Sequence, residues 1–187
     1  MLDLSDFEKM REEMKGFEKD RENLIISARE VIQLSKLIIH AIQRGDVKKA
    51  GELAVEIKEK VKQLPKESYD TDMRSVALQE YVEALTLLSF VDNGKILNRQ
   101  ELGVDANSYL LGLCDLAGEL VRLAVDDVIN KDYDSALKIK SVVEDIYGEF
   151  LKFDLRNGLL RKKSDSLKWN LKKLEDLALS ISTRRVE

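Results

Sequence analysis

The chain has 187 residues, 35% charged and 44% hydrophobic, with a net charge of -4, one proline and one cysteine. That is the length of one domain with enough apolar residues for a substantial core, which excludes a disordered chain. The acidic balance argues against a protein that coats nucleic acid non-specifically, but not against a basic surface gathered in one place.

The whole sequence reads as helix and turn, with no period-two alternation bounded by turns. A first helix is predicted from about Asp6 to Arg44, carrying Leu24, Ala28, Val31, Leu34, Ile38 and Ile42 near helical spacing. Its first half, Asp6 to Glu22, is mostly charged and is expected to project or to find a partner chain. Gly45-Asp46 stops it, and Asp46 can cap a second helix that ends near Leu64, before Pro65. A third runs from about Asp72 to Asp92, up to the turn signal Asn93-Gly94. A short helix, Lys95 to Leu102, ends at Gly103, and Asp105 caps the next, which runs to about Ile129. Another spans about Asp134 to Phe153. Arg156-Asn157-Gly158 then breaks the chain before a last helix from Leu159 to about Thr183. The expected fold is all-α: a single domain, residues 1–187, of six to seven mostly long helices whose sequential neighbours pack antiparallel.

No apolar run approaches the ~20 residues of a membrane span. The N-terminus, with Asp3, Asp6 and Glu8, has no apolar stretch of signal-peptide length. Cys114, the only cysteine, cannot form an internal disulfide, so a cytoplasmic setting is expected.

Four carboxylates carry the chemical signal. Glu80 and Glu83 lie three apart in the third helix, within a stripe otherwise formed by Val76, Ala77, Ala84, Leu87 and Leu88. Asp115 and Glu119 lie four apart in the helix after Asp105. Such spacings put each pair on one helical face. Glu80, Glu83 and Asp115 have no cation at i±3 or i±4 and an acid there instead, whereas Glu119 has Arg122. Acids in a core-facing stripe are costly unless their charge is compensated. If the two helices are neighbours, the four converge into an all-oxygen set suited to Mg²⁺ or Mn²⁺. Zinc or di-iron chemistry lacks its ligands, because His40 is the only histidine and stands in no Glu-x-x-His pair. Cys-His nucleophilic catalysis is equally unsupported. What remains is metal-activated water attacking an ester that binds metal well, such as a phosphodiester. The alternative is ordinary salt bridging on a helix surface.

Gly112, Ala117 and Gly118 remove bulk around Asp115, which suits tight helix packing or ligand access equally. The first helix offers a mainly basic stripe, Arg29, Gln33, Lys36, His40 and Arg44, which could hold phosphates beside the acids; the bland reading is a solvated face. A second cluster, Arg161, Lys162, Lys163, Lys168, Lys172 and Lys173, wraps around its helix and is read as surface or subunit contact first and RNA contact second. Core packing is expected for Tyr81, Tyr109 and Cys114, and a helix or subunit seam for Trp169.

At these residues the chain resembles the translin family. Gln79-Glu80-Tyr81-Val82-Glu83-Ala84 and the segment from Tyr109 to Leu120 are similar to two motifs of its catalytic branch, translin-associated factor X, while the segment from Leu160 to Glu175 is closer to translin itself. The resemblance implies about seven helices in a hollow homo- or hetero-octamer with metal-dependent endoribonuclease activity on single-stranded RNA. By motif, the catalytic acids fall on Glu80, Glu83 and Asp115, with Glu119 a fourth metal ligand. The loop from Asp92 to Ser108 is much shorter than in the animal catalytic branch. The mixed signature suggests one chain assembling with itself, with single-stranded RNA, or single-stranded DNA, as its ligand. The rival expectation is a translin-type binding protein without chemistry.

Overall fold

The third helix governs the architecture because it is apolar nearly all round, and such a helix must be covered on several sides. The structure, a computed structural model, describes residues 2–184; Met1 and residues 185–187 of the expected 1–187 domain lie outside the described residues. Seven helices follow in order: α1 Leu4–Gln43, α2 Val47–Gln63, α3 Met73–Asn93, α4 Arg99–Leu102, α5 Ala106–Ile129, α6 Tyr133–Phe150 and α7 Leu159–Arg184. α3 packs against α1 on one side and α5 on another, with α2 resting on both α1 and α3. α5 in turn carries α6 and α7, which also contact each other. The all-α expectation and the helix number hold.

The turn chemistry explains the boundaries. Asp46 accepts from the Lys49 backbone N–H at 3.0 Å and Asp105 from that of Ser108 at 3.0 Å, as N-caps do. Gly94 closes α3 and Gly103 closes α4 in the left-handed conformation, at φ 74° and 68°. Two expected boundaries are corrected. The short helix begins at Arg99, not Lys95, because Asn98 and Glu101 form a capping box there. α6 ends at Phe150 rather than Phe153.

The N-terminal part of α1 projects. Its buried residues begin only at Leu24. Before that, contact with the rest of the chain includes Phe17, edge-on to Tyr69 with ring centroids 5.7 Å apart, and Arg21, 2.8 Å from Asp70. Leu4, Phe7, Met10 and Met14 are left exposed along it. From Leu24 to Ile42 the apolar stripe enters the common core.

Candidate active site

α3 and α5 approach so closely at one point that only glycine fits. A Cβ on Gly112 would stand 2.6 Å from Val82 Cβ and 2.8 Å from the Gln79 carbonyl oxygen. This contact sets the two acid-bearing stretches against each other, since Gln79 to Glu83 and Gly112 to Asp115 flank it in sequence. Gly112 is therefore a packing residue. Gly118 is exposed, and an added Cβ there would meet only Asn170, at 4.0 Å.

Glu83 is the buried member of the acid group, with 9% of its surface exposed. No hydrogen bond or ion pair joins its carboxylate to another described residue. Burial, followed by the nearby charges of Asp115, Glu80 and Glu119, pushes its pKa up to about 8, against a smaller opposing pull from Lys163. Glu80 is half-buried, and its pKa is raised chiefly by burial; Lys36 lowers it, Asp115 raises it and Lys163 lowers it. Glu83 thus lies in the field of the other three carboxylates, as expected for neighbouring helices.

They are not, however, arrayed as a finished ligand set. Among the described residues no group of three or more His, Cys, Asp or Glu side chains stands ready to hold a metal ion. The hydrogen bonds show why. Lys163 Nζ donates to both oxygens of Asp115, at 2.8 and 2.6 Å, and Gln79 Nε2 donates to Asp115 Oδ2 at 2.5 Å. Gln43 Nε2, at the end of α1, donates to Glu119 Oε2 at 2.7 Å. Asp115 and Glu119 are engaged from other helices, while Glu80 and Glu83 are not. The residues nonetheless suit a divalent cation. The donors are all oxygen, a buried carboxylate lacks a bonded cation, and Thr86 Oγ1, three residues on from Glu83, is buried without a partner.

Sequence reasoning passed over Lys163, Gln79 and Gln43 as site residues. Lys163 had been assigned to a surface cluster, whereas it turns inward to Asp115. A signal existed: it is four residues before Leu167, and Leu167, Leu171 and Leu174 form the buried stripe of α7. A lysine in register with that stripe points toward a neighbouring helix. For Glu80, Glu83 and Asp115 the lack of cations holds along each helix but not in space, because Lys36 and Lys163 arrive from α1 and α7.

The other expected residues fall as follows. Arg29, Lys36 and His40 on α1 and Arg44 at its C-cap are all exposed, and Lys36 acts on Glu80, so the basic stripe borders the acids at Lys36. Tyr81 is core. Tyr109 is half-buried and donates to the Leu97 carbonyl at 2.9 Å. Burial pushes the Cys114 thiol up to about 12, which makes it inert as a nucleophile. Trp169 is 62% exposed, in a hollow with Tyr147 and Phe153, so within this chain it closes no helix seam. No helix of the described residues is long and apolar enough to cross a membrane.

Fold and site together define an all-helical domain that gathers acids between its third and fifth helices, beside a basic stripe. The chain belongs to the translin family, whose model matches residues 19–185. Translin of Gallus gallus is 36% identical over 109 residues, covering 56% of this chain and 48% of that protein. The chain thus spans about half the length of the first translins it matches. Translin-associated protein X of Pongo abelii is 23% identical over 229 residues, covering 97% of this chain and 79% of that protein. Among solved structures, apo-NeC3PO superposes with a TM-score of 0.85 at 29% identity, covering 97% of this chain and 98% of that one. AfC3PO in complex with duplex RNA gives a TM-score of 0.79 at 28% identity, covering 97% and 99%.

Proposed function

We propose that this protein is a metal-dependent endoribonuclease that cleaves single-stranded RNA within a shell, an octamer by family likeness, made of copies of itself in the cytoplasm. The observation that carries the reading is Glu83: a buried carboxylate on α3, in the field of three other acids and paired with no cation. A charge so placed is costly in the bare protein and is relieved by a bound cation. Glu80, Glu83, Asp115 and Glu119 would hold Mg²⁺ or Mn²⁺. Bound there, the ion supplies a water of lowered pKa and neutralises charge building on the phosphate.

The chain's own residues do the rest. Glu80, Glu83 and Asp115 are the catalytic acids. Gln79 and Gln43 hold the Asp115 and Glu119 carboxylates in orientation. Arg29, Lys36, His40 and Arg44 contact backbone phosphates along α1 and feed the strand toward the acids. That AfC3PO was captured with duplex RNA supports an RNA ligand and makes strandedness part of the test.

The decisive assay is cleavage of a labelled single-stranded RNA by the purified protein in Mg²⁺, in EDTA, and as Asp115→Ala in Mg²⁺, with duplex RNA alongside. Cleavage by the parent protein in Mg²⁺ alone is expected. Equal cleavage by the variant would place the activity elsewhere or in a contaminant. A second reading is a translin-type RNA- and DNA-binding assembly protein without chemistry. It is favoured by the ammonium already seated on Asp115, which leaves no ready ligand set. RNA bound and recovered whole in Mg²⁺ would establish it.

A further inference from the structure

We propose that Lys163 is the built-in counter-ion of the acidic site, and that a divalent cation loads the site only by displacing it from Asp115. The inference rests on the metal reading above and adds a competition to it. The ammonium is shared between both Asp115 oxygens, at 2.8 and 2.6 Å. That is where a cation held by this carboxylate would sit. The pair is well made for the bare protein. Both side chains are 26% exposed, and Gln79 fixes the same carboxylate from α3. Charge-assisted bonds of this kind, partly shielded from water, are stronger than surface pairs.

The Lys163 ammonium makes its ion pair with Asp115. Two cations cannot share the spot, since the ammonium is a compact point charge with no lone pair to offer a metal. The side chain nevertheless has an exit. Its four-carbon stem springs from the second turn of α7, just after the break at Arg156-Asn157-Gly158, and neighbouring Arg161 and Lys162 are exposed. Once released, the ammonium can serve a phosphate of the substrate. One lysine thereby stabilises the bare fold and sets how much metal is needed to load it.

The test is Mn²⁺ binding without RNA, read from the electron paramagnetic resonance signal of the free ion. It compares the full-length parent chain with Lys163→Met, Lys163→Gln, Lys163→Arg and Asp115→Asn. Removing a competing charge-assisted contact should tighten Mn²⁺ binding by about 10- to 100-fold in Lys163→Met. Lys163→Gln, which keeps a hydrogen-bond donor for Asp115 and guards against a misfolded methionine variant, should tighten it too. Lys163→Arg should stay near the parent. Unchanged or weaker binding in both neutral variants, with the parent and Lys163→Arg still binding and Asp115→Asn not, would overturn the competition and leave the metal site standing. Failure of the parent and every folded variant to bind Mn²⁺ would overturn the metal reading and this inference with it.

Discussion

Replacing Gly112 and Gly118 with alanine makes the same chemical change twice on one helix, with opposite expected results. Each gains about 0.8–1 kcal/mol of helix propensity. At Gly118 little opposes that gain, because the position is exposed and the new Cβ meets only Asn170, at 4.0 Å. At Gly112 the new Cβ would lie 2.6 Å from Val82 Cβ and Cγ1 and 2.8 Å from the Gln79 carbonyl oxygen. Ordinary carbon contacts are about 3.5–4.0 Å, so α3 and α5 must separate by roughly 1 Å. A backbone oxygen cannot swing aside as a lysine tip would, which puts the cost at the upper end of overpacking, about 3 kcal/mol, and the net loss at about 2 kcal/mol. Equilibrium urea unfolding of the two variants beside the parent would read the difference. Gly118→Ala should unfold later and Gly112→Ala earlier, by several degrees in a matched thermal scan, about 2–4 °C per kcal/mol for a chain of this size. Gly112→Ala should also lose RNA cleavage, since α3 and α5 carry the acids on either side of that contact. A Gly112→Ala protein as stable as Gly118→Ala would refute the claim that this contact sets the helix spacing.

Two further outcomes follow from the charges. Glu83 keeps its proton up to about pH 8 in the metal-free folded chain but releases it near its ordinary 4.5 when unfolded. Between those values folding takes up a proton, so stability falls as pH rises through this window and is flat with respect to this group outside it. Glu83→Gln, neutral throughout, should therefore match the parent below pH 4.5 and exceed it by about 3 kcal/mol at pH 7, measured by urea unfolding in EDTA. A constant gap across that range would show that Glu83 does not hold its proton. Arg29→Ala with Lys36→Ala should weaken single-stranded RNA binding in filter assays and lower the salt slope by about 0.7 per lost phosphate contact. An unchanged slope would remove the α1 stripe from the RNA path.

The seven helices, most of their boundaries and the four acids were readable from residue order, because the rules involved are local, though the start of α4 and the end of α6 were not. Asp46, Asp105, Gly94 and Gly103 act on backbone groups within a few residues, and helical spacing alone puts Glu80 with Glu83 and Asp115 with Glu119. The translin-type motifs likewise lie in contiguous segments. What the linear chain could not decide is what meets those acids from outside their own helices. That Glu83 is buried follows from α1 and α5 covering an already apolar α3. That Asp115 is neutralised by Lys163 and fixed by Gln79, and that Glu119 is held by Gln43, follows from packing that joins residues 48, 36 and 76 positions apart. Gly112 shows both sides of this division. As a glycine within a predicted helix it was visible as an oddity, yet only the approach of Val82 reveals that it brings α3 and α5 together. Local rules act through backbone hydrogen bonds and side-chain period, whereas the charge balance of the site depends on through-space distances that the assembled helices alone define.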